Sequence, residues 1–142
     1  MKFTCSININ KPKLDVVKHF EDPEALKQSQ KGFQRIDHLS GNKKEAGAKS
    51  KLFYAKFEMI ETIIENKLPD TFEAQYDHKN MSNTMHTEFV AINDHETKLT
   101  TIIEYTRFTG FIINVMARLF PSMFRKQVDK WLVKFKYYVE KQ

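Results

Sequence analysis

Six side chains stand out for what they could do together. Tyr54, Tyr76, Tyr105, Thr87, Thr101 and Arg107 fall on strand-like segments, in phase with Phe, Leu and Ile. Alternation sends every second side chain of a strand to one face. The set would therefore bring five hydroxyls and a guanidinium into an otherwise apolar layer. A few convergent polar groups in apolar surroundings are what a small-molecule pocket uses to orient its ligand. Arg107 is the candidate for an acidic or polar ligand head, because its guanidinium presents a planar fork of donors. The competing reading is a filled core, with hydroxyls satisfying one another and Arg107 at the rim of the sheet.

Other ionisable groups offer less. Glu58, Glu61 and Glu65 share one strand, and even spacing sets Glu61 and Glu65 on the same face. If that face were interior, burial would raise the pKa of Glu61, as a general base or proton donor needs. If it is the outer face, the carboxylates are simply wet. His86 is expected on the outer face directly opposite Glu104, where a solvated cross-strand charge pair is preferred over a catalytic dyad. The histidines, His19, His38, His78, His86 and His95, show no zinc spacing, and one cysteine cannot build a structural metal site. Cys5, in an apolar alternating stretch, reads as a buried reduced thiol. No catalytic fingerprint is present, and no metal or redox cofactor is expected.

The elements that must position these residues follow from period and punctuation. Phe3, Cys5, Ile7 and Ile9 alternate as a half-buried strand over residues 2–9. Pro12 breaks it, and Leu14, Val17 and Phe20 recur at helical spacing, with a second helical turn continuing through Leu26 after Asp22-Pro23. Strands are expected over residues 33–39, 48–54, 57–68, 71–78, 83–93 and 97–108. The fourth of the seven strands, 57–68, is apolar on both faces and so is read as covered on both sides. Turns at 79–82 and 94–96 would set Phe72, Ala74 and Tyr76 beside Met85, Thr87 and Phe89, and these beside Leu99, Thr101, Ile103 and Tyr105. Pattern and turn lengths agree, and a one-residue slip would put every one of these side chains on the wrong face.

Gly110 changes the period. Ile112, Val115, Met116, Leu119 and Phe120 fall at helical spacing; after Pro121, so do Phe124, Val128, Trp131, Leu132, Phe135 and Val139. A final helix of about five turns is expected over 122–140. The apolar stripe of 111–124 reads as core, the alternative being a lid or a membrane-facing surface.

Bulk properties narrow the class. The chain has 142 residues, 41% hydrophobic, with twelve Phe, five Tyr and one Trp, enough to build one core without staples. No apolar run reaches the about 20 residues of a bilayer crossing, and residues 1–20 do not read as a signal peptide. With one cysteine, a reducing cytoplasmic setting is expected. Much of the excess behind the net charge of +5 lies toward the C-terminal end, at Arg118 just before the last helix and at Arg125, Lys126, Lys130, Lys134 and Lys136 within it. A basic amphipathic helix can dock on anionic lipid, although a solvated face is the default. Nucleic-acid binding is not expected, because no groove-reading motif accompanies the charge.

The order of strand, short helices, six further antiparallel strands and a long C-terminal helix resembles the START-like superfamily, the polyketide cyclase/dehydrase and lipid-transport group that includes the birch-pollen allergen fold. The features that carry the resemblance are the opening strand with Pro12 before a helix, the Leu68-Pro69-Asp70 break, the Gly110 transition, and the aromatic-rich last helix ending Tyr137-Tyr138-Val139-Glu140. It covers essentially the whole chain, 1–142, as a single domain. It implies an α+β helix-grip fold, a curved antiparallel sheet of about seven strands wrapped around the last helix. It also implies a cavity between sheet and helix, lined by Tyr54, Phe72, Tyr76, Thr87, Phe89, Thr101, Ile103, Tyr105 and Arg107 with Met116, Phe120 and Phe124. Plant members carry a glycine-rich loop between the second and third strands. Here Ser40 to Gly47 holds only Gly41 and Gly47, so the role of that loop is not carried over.

The leading expectation is a monomeric or weakly dimeric binder or carrier of a small hydrophobic molecule, lipid-, polyketide- or quinone-like. One alternative is a cyclase- or hydratase-like enzyme with a buried carboxylate. Another is a protein-interaction module of the chaperone-activating kind.

Overall fold

In the computed structural model, which describes all 142 residues, the alternating segments become seven strands: β1 (Lys2–Ile9), β2 (Phe33–Ser40), β3 (Lys49–Tyr54), β4 (Glu58–Lys67), β5 (Thr71–Asp77), β6 (Met81–Asn93) and β7 (Glu96–Phe108). They form one open antiparallel sheet in the order β1-β7-β6-β5-β4-β3-β2. Between β1 and β2 lie α1 (Lys13–Phe20) and α2 (Pro23–Ser29). After β7 come α3 (Phe111–Leu119) and α4 (Ser122–Glu140). This is the helix-grip arrangement that the sequence predicts.

The register in the middle of the sheet matches expectation. Phe72 pairs with Thr87, Ala74 with Met85, Thr87 with Thr101, Phe89 with Leu99, and Met85 with Ile103. The turns are tighter than predicted, His78 to Asn80 and Asp94 to His95, because β6 begins at Met81 and β7 at Glu96. At the β2–β3 connection the chain needs Gly41: its φ is +78°, and a Cβ there would meet Ala48 Cα at 2.9 Å.

α4 closes the inner face through a stripe of Val128, Leu132, Phe135 and Val139. Phe135 and Val139 pack with Ile9, Val16, Val17, Ala25, Phe89 and Leu99. Val128 packs with Cys5 and Ile103. Each such side chain, fully buried, contributes about 1.5–3 kcal/mol. Polar contacts pin the end of the helix: the Glu140 carboxylate accepts from the Asn10 N–H at 2.7 Å, and Lys136 donates to the Asn8 carbonyl at 2.5 Å. Burial of the Glu140 carboxyl is outweighed by the Asn10 N–H and the Lys136 ammonium, so its pKa is lowered.

The outer face of the sheet is solvated. Ser6 bonds Thr100 across β1–β7, Lys49 bonds Thr62 across β3–β4, and His86 sits between Glu73 and Glu88 at 3.5 and 3.2 Å. Two expectations are corrected here. His86 lies opposite Ile102, and it is Thr84 that lies opposite Glu104. β4 is also not covered on both sides: Ile63 is buried, whereas Ile64 is exposed at a bulge between Ile63 and Glu65. Ile60, half-buried, and Ile64 are apolar residues on the solvated face, and the bulge interrupts the alternation beyond them.

Candidate functional site

The inner face divides into two parts. Beneath α4, Thr87 and Thr101 are buried and share a hydrogen bond at 3.3 Å. Phe89 packs edge-on against Phe20, which also meets Phe72 edge-on. Ile103 is 1% exposed against Cys5 and Val128. Thr87, Thr101, Phe72, Phe89 and Ile103 thus lie within or against packed core. The Cys5 thiol is buried here too. Its pKa is raised to about 12, chiefly by loss of solvent and secondarily by Asp129, so it is held as an unreactive thiol.

Toward β2–β5 the face changes character. α4 packs on β1 and α2 and makes no comparable contact with β3, β4 or β5. On the inner side there, Glu61 pairs directly across from Tyr76, whose hydroxyl donates to Glu61 Oε2 at 2.8 Å. Tyr54 is buried against Phe33, stacks on Phe57 at 4.5 Å between ring centres, and donates to Gln30 Oε1 at 2.5 Å. Ile36, Met59 and Leu52 complete this cluster, with Tyr76 packed against it. Glu61 and Tyr76 are only half-buried by their surroundings.

Electrostatics follow from that placement. Loss of solvent raises the pKa of Glu61, and the Tyr76 hydroxyl, by stabilising the carboxylate, partly offsets it. Burial, together with the Glu61 charge, raises the Tyr54 and Tyr76 phenols, so both stay protonated as donors. Tyr105 is raised to about 12 by burial alone. It stacks on Phe108 and meets Phe124 edge-on, which makes an aromatic corner where β7 gives way to the helices.

Two facings differ from the alternation. Glu61 and Glu65 do not share a face: the bulge at Ile64 sets Glu65 opposite Glu73, on the side of His86. Arg107 does not project inward with Tyr105. A second bulge makes Ser82 pair with Arg107 but Asn83 with Tyr105, so Thr106 is the extra residue. Arg107 turns outward to Ser82 Oγ, the Thr109 hydroxyl and the His78 and Lys79 carbonyls, while Phe108 takes the inner position. Ser82 in turn donates to Asp77. Arg107 therefore clamps the β5–β6 turn.

Phe120 is exposed, and Met116 is half-buried on α3. α3 contains no buried residue, so the stripe expected to be core is on the surface. Met116 borders an open recess of about 520 Å³ with Asn80, Gly110, Phe111 and Ile113. A second open recess, of about 670 Å³, lies between α1 and the Leu68-Pro69 break. Neither is lined by Tyr54, Glu61 or Tyr76. Gln30 and Phe108 were missed from sequence: Gln30 sits in an irregular link, and Phe108 is in the wrong phase until the Thr106 bulge is known. No group of three or more His, Cys, Asp or Glu is placed to hold a metal ion.

No family model matches the sequence, and no curated protein aligns with it. Solved structures do align, over nearly the whole chain. The Zhui aromatase/cyclase from Streptomyces sp. R1128 matches with a TM-score of 0.80 at 6% identity, covering 99% of this chain and 93% of its own. A conserved protein from Geobacillus kaustophilus gives 0.77 at 16% identity, covering 99% and 96%. A START superfamily protein from Mycobacterium smegmatis gives 0.74 at 10% identity, covering 99% and 97%. The chain therefore has the START-like helix-grip fold. At these identities the likeness is one of architecture.

Proposed function

We propose that this protein binds a small hydrophobic molecule carrying one polar, hydrogen-bonding end, in the part of the inner face that α4 leaves free. The observation that carries the proposal is the Glu61–Tyr76 pair, a carboxyl and a phenol bonded at 2.8 Å amid Ile36, Met59, Leu52 and Tyr54. A polar pair that serves only stability gains little from such a position, because desolvation opposes its hydrogen bond. As the polar end of an apolar site, the same pair fixes a ligand's orientation. The likeness to an aromatase/cyclase and to a START superfamily protein supports the same reading. Tyr54, Tyr76 and Tyr105 remain contact candidates from the original set, with Phe124 at the aromatic corner.

Native mass spectrometry of the purified protein, followed by identification of any released molecule, tests this. A stoichiometric apolar molecule, lost from Glu61→Gln or Tyr76→Phe protein, is the expected result. A clean mass together with no uptake of an environment-sensitive apolar dye would overturn it.

A second reading rests on the raised pKa of Glu61. A carboxyl whose pKa is raised by burial, with Tyr76 as its hydrogen-bond donor, could move a proton on a bound ligand, as in a cyclase- or hydratase-like step. The released molecule decides between the two. Unchanged composition on incubation marks a carrier; conversion that Glu61→Gln abolishes while binding persists marks an enzyme.

A further inference from the structure

We propose that α3 and the loops beside it form a docking surface for an anionic lipid bilayer. α3 reads Phe-Ile-Ile-Asn-Val-Met-Ala-Arg-Leu, and none of its residues is buried. Phe111 is 83% exposed, Ile112 74% and Leu119 62%, and Phe120 and Met123 continue the apolar surface past the helix. Spacing of i, i+1 and i+8 sets Phe111, Ile112 and Leu119 on one side, with Val115 between them. Ile113 and Met116, half-buried, join Phe111 and Ile112 in lining the open recess beside Asn80 and Thr109. Helix and strand contacts hold every other helix, but α3 makes none of comparable extent. An apolar helix without a partner in its own fold is a surface built for something else.

The charge around it indicates what that is. Strand pairing brings four segments to this end of the molecule: the start of β2 meets the end of β3 at Phe33 and Tyr54, the end of β5 meets the start of β6 at Asp77 and Ser82, and Met81 meets Phe108. Among residues 30–32, 55–57, 78–82 and 109–126 there is no Asp or Glu. Lys31, Lys56, Lys79, Arg118, Arg125 and Lys126 are all exposed there. Of these only Arg125 reaches a carboxylate, Asp129, at 3.9 Å. At the opposite end lysines are spent on neighbours, Lys13 on Asp70, Lys44 on Glu21 and Lys136 on Glu140.

An apolar face at the same end of the molecule as cations that, Arg125 apart, reach no carboxylate is matched by a bilayer that has both acyl chains and anionic headgroups. A nucleic acid would use the cations and leave Phe111, Ile112 and Leu119 in water. A second copy of this chain would match the apolar face and set like charges against each other. The helix is too short to cross a membrane, and no helix of the chain is long and apolar enough to do so; α3 lies in the interface.

Vesicle flotation with phosphatidylcholine, with and without phosphatidylserine, tests the proposal on the full chain. The wild type is expected to float with phosphatidylserine vesicles, less with phosphatidylcholine alone, and less as salt rises. Phe111→Ser/Ile112→Ser should weaken partition about tenfold per side chain. Arg118→Gln/Lys126→Gln should weaken it about fivefold per charge. All four positions are exposed, and far-UV circular dichroism checks that the variants stay folded. Absence of flotation would overturn the proposal. So would flotation that the Phe111/Ile112 variant leaves unchanged, which means charge alone acts and any polyanion would serve. A concentration-dependent dimer in ultracentrifugation that this variant abolishes would assign the face to a second copy instead.

Discussion

The two halves of the inner face are built from similar residues to opposite ends. Under α4, polar groups are small and mutually satisfied, as with Thr87 and Thr101, and large apolar side chains close over them. Toward β2–β5, the polar groups are a half-buried carboxyl and phenol, Glu61 and Tyr76, beside the buried Tyr54, with the gripping helix elsewhere. The first half is where stability is concentrated. The second keeps a desolvated carboxyl that costs stability when it ionises.

The comparison can be broken at its stable side first. Phe89→Ala should cost about 3–5 kcal/mol by urea unfolding, since Phe89 is 2% exposed between α1 and α4. A loss below about 1 kcal/mol would mean that this half is not the packed core. Arg107→Met removes the clamp on the β5–β6 turn and should cost about 1–3 kcal/mol by the same measurement. It should leave apolar-dye binding intact, whereas a loss of dye affinity with unchanged stability would return Arg107 to the ligand site.

On the open side the expected stability change is smaller and opposite in sign. A carboxyl whose pKa is raised in the folded state binds its proton more tightly there than in the unfolded chain. Its contribution is complete below the ordinary value of 4.5 and is lost as pH rises through the folded value. Glu61→Gln keeps an acceptor for Tyr76 and removes the titration. It should raise the unfolding midpoint at neutral pH relative to wild type and not at acid pH. An equal shift at both would show that the carboxyl does not titrate differently on folding. The smallest effect is on the outer face: His86→Gln should change stability by less than about 0.5 kcal/mol, because its partners Glu73 and Glu88 are solvated.

Much of this architecture was legible in the residues themselves. Phe3, Cys5, Ile7 and Ile9 alternate, Val128, Phe135 and Val139 recur at helical spacing, and the register of Phe72, Thr87 and Thr101 follows from parity and short turns. These are local signals, set by the geometry of a pleat or a helical turn. Tyr54 and Tyr76 could be assigned to the interior for the same reason.

Three decisions lay beyond the sequence. The bulges at Ile64 and Thr106 each insert one residue, which reverses the facing of everything after it, so Glu65 leaves the side of Glu61 and Arg107 leaves that of Tyr105. A bulge is a property of two strands paired, and parity along one strand cannot report it. Gln30 meets Tyr54 only because α2 ends above the start of β2. The apolar stripe of α3 reads identically whether covered or bare, because covering it depends on where Pro121 redirects the chain. Amino-acid type and period determined which elements form and which sides are apolar; the pairing of distant segments alone decided which of those sides are filled, which are open, and which face outward.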